Sequence, residues 1–320
     1  MSQTSSSKWY QVVPSSASHV FAAISQGSVE AKDDCKLVSI WEINPFRRIH
    51  RVLLPFDSGG LRLAVSPSGR FVCGAEWDTS RIEVVHIGDY VASAWSGRVR
   101  KPQRLAFMSE DLLSICTADD GIQIRRSEDG KVVTAWPKLV DLYPIIPGKL
   151  SIAVSLTGEM QLRSIDERFT VLWSHDLPRR TILRAVADPA SHRVFVTEHD
   201  VGVRCISLDT GETLWQKSLE DMHVGREMAY CAYLSLLLVY VWNTRSGFGR
   251  ICAFSPNSGD LVTQLCSYSR WAFCNFLDQG QYCAFRDGTV WRLGNGKIER
   301  AWSLSDTDTT WEATECPAIE

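Results

Sequence analysis

One hairpin recurs along this 320-residue chain and decides what it can fold into. Its clearest copy is 202–217, GVRCISLDTGETLWQK. Val203, Cys205 and Ser207 alternate with Arg204, Ile206 and Leu208, the period of two expected of a strand. Asp209-Thr210-Gly211 follows as a tight turn, its glycine free to take positive φ. Residues 212–217 then read as a second strand carrying Trp215. Further copies run from Arg81 to Trp95, turning at Gly88-Asp89, and from Ile122 to Trp136, turning at Asp129-Gly130. Another spans Met160 to Trp173, with its turn near Asp166-Glu167 and no glycine. Arg250 to Leu265 turns at Ser258-Gly259 and Thr289 to Trp302 at Asn295-Gly296, while Leu37 to Leu54 is a looser copy turning at Asn44-Pro45.

The closing tryptophans set the period. Trp95, Trp136, Trp173 and Trp215 are separated by 41, 37 and 42 residues, and Trp302 lies 87 further on, with Leu265 in the intervening place. Two more apolar runs precede each hairpin, such as Ile182–Ala187 with Arg193–Glu198, or Met228–Leu234 with Leu236–Trp242. Four strands in each of seven periods, with no amphipathic helix between them, predict an all-β, seven-bladed β-propeller with four antiparallel strands per blade. The expected limits are a disordered N-terminal tail over 1–8, the propeller over 9–302 and an acidic C-terminal tail over 303–320. Each blade is expected to use four consecutive strands, so the ring closes without a strand exchanged between the termini. The five tryptophans at hairpin ends are expected to pack between blades, where a wide ring suits the wedge between twisted sheets.

Leu63 to Ile87, LAVSPSGRFVCGAEWDTSRIEVVHI, resembles the centre of a WD-repeat blade, with Ser-Pro-Ser-Gly before the second strand. Asp209 to Trp215, DTGETLW, is similar instead to the repeat of quinoprotein-type propellers. No blade opens with Gly-His, and Trp41-Glu42 alone approximates a Trp-Asp pair at the end of a third strand. The resemblance extends over nearly the whole chain and implies a fold that serves many functions.

Composition narrows the classes. A net charge of −3 and a pI near 6.2 argue against a surface broadly shaped for nucleic acid. No apolar run reaches transmembrane length, and MSQTSSSKWY is polar, so a cytoplasmic protein without a membrane partner is expected. None of the ten cysteines forms Cys-x-x-Cys, and most sit at strand positions, where cysteine behaves as a small buried apolar residue. Reduced thiols follow.

Catalytic patterns are missing. There is no phosphate-binding glycine loop, no His-Glu-x-x-His and no nucleophile elbow. The expectation is therefore a non-enzymatic protein-interaction module, a scaffold, adaptor or accessory subunit, without cofactor or metal. The alternatives are a propeller-type enzyme (hydrolase, lyase or quinone-dependent dehydrogenase) and a glycan- or small-ligand-binding propeller. Strands in a meander alternate direction, so the second-to-third-strand loops and the blade connections share one face. That loop face is the expected binding surface for an acidic or mixed-charge protein. Its candidates are Trp77 and Asp78, the basic run Arg98, Arg100 and Lys101, the pair Arg179 and Arg180, His199 with Asp200, and Arg226. Trp242, Arg245 and Phe248, in and before a long glycine-containing loop, complete the set.

Overall fold

Every predicted hairpin becomes the outer half of a sheet in the computed structural model. It describes residues 9–15, 19–26, 35–56, 60–166, 168–177, 182–199, 201–219, 223–243, 249–268, 274–285, 287–294 and 297–304. The first sheet joins β1 (Trp9–Pro14), β2 (Val20–Gln26), β3 (Lys36–Glu42) and β4 (Arg47–Leu54), and the second joins β5 (Leu61–Val65), β6 (Phe71–Glu76), β7 (Arg81–Ile87) and β8 (Val91–Arg98). Blade 3 holds β9 (Pro102–Phe107), β10 (Leu112–Thr117), β11 (Ile122–Arg126) and β12 (Val132–Trp136). Blade 4 holds β13 (Leu139–Ile146), β14 (Leu150–Ser155), β15 (Glu159–Ser164) and β16 (Val171–Asp176). Blade 5 is β17 (Ile182–Asp188), β18 (Arg193–Glu198), β19 (Gly202–Ser207) and β20 (Thr213–Lys217). Blade 6 is β21 (His223–Cys231), β22 (Leu236–Trp242), β23 (Gly249–Phe254) and β24 (Leu261–Tyr268). Blade 7 is β25 (Cys274–Leu277), β26 (Tyr282–Phe285), β27 (Thr289–Gly294) and β28 (Lys297–Ser303).

All described strand pairs are antiparallel and consecutive, so the protein is a seven-bladed β-propeller in which, among the described residues, no strand is exchanged. The first strand of each blade lies innermost, and β25 meets β1 to close the ring. The second strands explain why the sequence reads as near-continuous apolar runs there. β6 is buried at every position, with Val72 turned towards blade 1 and Phe71, Cys73 and Ala75 towards blade 3. Among the described residues the buried apolar side chains form seven groups, one between each pair of adjacent blades. The cysteines in these groups are free thiols, and burial pushes Cys205 up to about 12 and Cys252 up to about 11.

The outer tryptophans fasten each blade to the next. Trp95 donates its indole N–H to Ser127 O at 2.9 Å, Trp173 to Leu208 O at 2.8 Å and Trp215 to Pro256 O at 2.9 Å. Each ring lies against the following hairpin's turn glycine, at φ +68° in Gly130, +76° in Gly211 and +71° in Gly259. A methyl group added to Gly130 would stand 2.6 Å from the Trp95 ring, so glycine serves both the turn and the close approach. The hairpin without a glycine solves the problem otherwise. Trp136 meets Phe169 edge-on at 5.4 Å and lies under the Arg163 guanidinium at 4.8 Å. Trp302 closes the ring by stacking on Phe46 of the blade 1 turn, at 4.2 Å and 7°.

Two boundaries differ from the sequence reading. β21 begins at His223, five residues before the apolar run that marks it, because Gly225 and its neighbours are accommodated as a bulge. At the other end, β28 runs through Ser303, and Leu304 is buried in the core shared by blades 7 and 1.

Candidate functional site

The loop face gathers its candidate residues into two groups on different blades. In blade 2, Trp77 and Asp78 form the turn after β6, and the exposed Arg98 ends β8 opposite Arg81. Arg100 and Lys101 follow in the connection to blade 3, where they meet the turn after β10. Arg100 lies 3.5 Å from Asp119 and 3.9 Å from Asp120, and Lys101 lies 3.2 Å from Asp119. The basic run of the sequence is therefore a mixed-charge cluster, and Arg98 is its uncompensated cation among the described residues. Exposed pairs of this kind contribute little to stability, so their charges remain available to a partner.

The second group straddles blades 5 and 6. Trp242 ends β22 and is 42% exposed, its ring 5.4 Å from His223, which in turn lies 6.1 Å from His199. His223 pairs with Trp242 across the sheet, so a residue that reads as part of a loop is fixed by strand register. Arg179, Arg180, Asp200, Arg245 and Phe248 lie outside the described residues, as does the side chain of Arg226.

Blade 5 also holds a buried ion pair, which adjoins His175 of blade 4. Arg204 Nε stands 2.7 Å from Glu198 Oε1, and a second guanidinium nitrogen donates to Glu198 Oε2 at 3.2 Å. Burial raises the Glu198 carboxyl above its ordinary value despite the attraction of Arg204.

The ring also encloses a cavity of about 520 Å³, walled by all seven inner strands. It opens between the first-to-second-strand turns, where Pro189, Ala190 and Gln279 are exposed, on the face opposite the loops just described. At its deep end four inner strands contribute charge. Arg104 of β9 approaches Asp141 of β13 at 2.7 Å, donates to the Tyr143 hydroxyl at 3.2 Å and lies over that ring at 4.3 Å. The Tyr143 hydroxyl is 2.7 Å from the Asp141 carboxylate and 2.6 Å from Ile182 O, either of which its single proton can serve. Burial, above all, raises Tyr143 well above its ordinary value. Arg184 of β17 completes the set with Glu227 of β21. Burial first, and then repulsion from Arg104, lowers Arg184, outweighing the attraction of Tyr143, Glu227 and Asp141.

Sequence reasoning missed this cluster. Each member reads as one polar residue in or beside an apolar run, and only the ring closure brings four blades together. Among the described residues no group of three or more His, Cys, Asp or Glu is gathered to hold a metal. Likewise, no helix among the described residues is long and apolar enough to cross a membrane.

No protein-family model matches the sequence, and no curated protein matches it. Among solved structures the chain is similar to the β-propeller domain of Cps50 (Swd1) from Myceliophteria thermophila, with a TM-score of 0.64 and 12% identity, over 94% of this chain and 98% of that one. At that identity the likeness speaks for the fold, and the chain takes its place among the β-propellers as a complete ring of seven blades.

Proposed function

We propose that the protein is a non-catalytic interaction module that holds a protein partner on its loop face, anchored at Trp242, His223 and His199. The observation that carries this reading is the setting of Trp242. Other tryptophans fasten blade to blade, with indole N–H groups spent on neighbouring turns. Trp242 instead stands 42% exposed against a histidine, on the rim. A large aromatic ring with a polar edge, held by strand register and left open to solvent, is the kind of side chain that dominates protein interfaces. Arg98 lies on the same face in blade 2, where an exposed cation speeds the encounter with an acidic partner more than it tightens the complex.

Affinity purification of the tagged chain from its native source, with mass spectrometry, tests the reading. The expected result is a stoichiometric protein retained by the wild type and lost by Trp242→Ala, with about 2 kcal/mol or more of binding removed by faster dissociation. The melting temperature should be unchanged. Undiminished binding by Trp242→Ala and His199→Ala together would place the interface elsewhere.

A further inference from the structure

The central cavity supports a second inference, independent of the loop face. Arg104 is answered by Asp141 at 2.7 Å and by the Tyr143 hydroxyl. Arg184 lines the same cavity, yet among the described residues it has neither a hydrogen bond nor an ion pair, and Glu227 and Asp141 act on it only at longer range. A half-buried guanidinium without a partner is costly, and folding alone gives no reason to keep one there. Its placement is specific. The register between β17 and β18 slips between Ile182 and Arg184, so that Leu183 is the extra residue of a β-bulge, a device that re-aims a side chain. The adjacent walls are largely apolar, with Val65, Ala106, Phe107, Ile145 and Val186 among them.

We propose that this cavity binds a small organic monocarboxylate, with its carboxylate on the Arg184 guanidinium and its apolar body along the channel towards the open face. Guanidinium offers the planar pair of donors that a carboxylate accepts. The volume of about 520 Å³ falls in the ordinary range for small-molecule sites. Charge limits the ligand further. Asp188, Glu227 and Asp278 line the cavity with Arg104 and Arg184, so a single negative charge confined to the Arg184 guanidinium is the most it accepts, whereas a dianion such as phosphate would be repelled by these carboxylates. An amine is repelled by Arg184, and an alcohol leaves its charge unanswered.

The test uses the full chain with straight-chain carboxylates from butanoate to octanoate, set against alcohols and amines of the same lengths and inorganic phosphate. Binding is read by calorimetry and by melting temperature. The wild type and Arg184→Lys should bind a carboxylate in preference to every control. Arg184→Met should bind it about tenfold or more weakly and, without ligand, melt no lower than the wild type, because it removes an unpaired, half-buried charge. Equal carboxylate binding by Arg184→Met, equal binding of amine or phosphate by the wild type, or no carboxylate binding at all would overturn the proposal. So would a marked loss of melting temperature in Arg184→Met, which would make Arg184 a structural residue.

Discussion

Blades 1, 2 and 7 pair their first two strands without a break, whereas blades 3 to 6 each insert extra residues near the start of the inner strand. The extra residue is Gln103 in β9, Val140 in β13 and Leu183 in β17, and in β21 the three residues 225–227 face one on β22. Arg104, Asp141 and Arg184 come immediately after these insertions, and Glu227 ends the last of them. The unbroken half shows what a charge does without one. Arg62 of β5 turns sideways and donates from Nε to Gln103 O at 3.1 Å, satisfying a carbonyl of the neighbouring bulged strand. At this end of the ring an inner strand in register turns its charge between blades, as Arg62 does, and a bulge re-aims one towards the axis, as at Arg184. Seven similar blades thus enclose a channel whose two guanidinium groups, Arg104 and Arg184, both come from the bulged side.

The comparison is broken most severely at Asp141. Asp141→Ala should cost about 3 kcal/mol in equilibrium chemical denaturation, because it leaves the partly buried Arg104 guanidinium without its carboxylate. A loss below about 1 kcal/mol would mean that the charge cluster is solvated and that the two halves differ in shape alone.

A second contrast lies at the ends of the second strands. Glu198 pairs with Ile182 at the bulge of blade 5 and meets Arg204, while Glu76 pairs with Leu61 in blade 2 and accepts from the Thr79 hydroxyl. Burial raises the folded-state value of Glu198, so folding takes up a proton there. Its contribution to stability is fully present below about pH 4.5 and is lost as pH rises through the raised value. The stability of the wild type relative to Glu198→Gln should therefore fall as pH rises from about 4.5. A difference constant with pH would remove Glu198 from the contrast. The smallest effect belongs to Arg62→Gln, at about 0.5 kcal/mol, since its bond is partly exposed and water can replace it. A larger loss would show that the unbroken half also depends on its polar contacts.

The blades were legible in the sequence and the channel was not, for a physical reason. Gly130, Gly211 and Gly259 mark turns that need positive φ, and the tryptophan of the preceding blade packs on each, so turn and ring carry the same message twice. A bulge announces itself by one to three misplaced residues in a strand of six to nine, which an alternating pattern absorbs unnoticed. Gly225 and Arg226 therefore read as loop, and His223 with them, although all belong to β21. The loop-face candidates were legible as charges and rings in connections. Their pairing was not, because Asp119 and His223 reach Lys101 and Trp242 across a blade boundary and a strand pair respectively.

The Trp302–Phe46 stack has a consequence for how the molecule is made. Phe46, Phe21 and Trp41 belong to the first blade synthesised, yet their covering surface comes from Tyr282, Trp302 and Leu304 of the last. During translation that aromatic face emerges some 240 residues before its partner exists. Until then it is an adhesive patch open to chaperones, to other nascent chains or to a second copy. Ring closure is thus a timing problem for the cell as much as a packing problem for the protein.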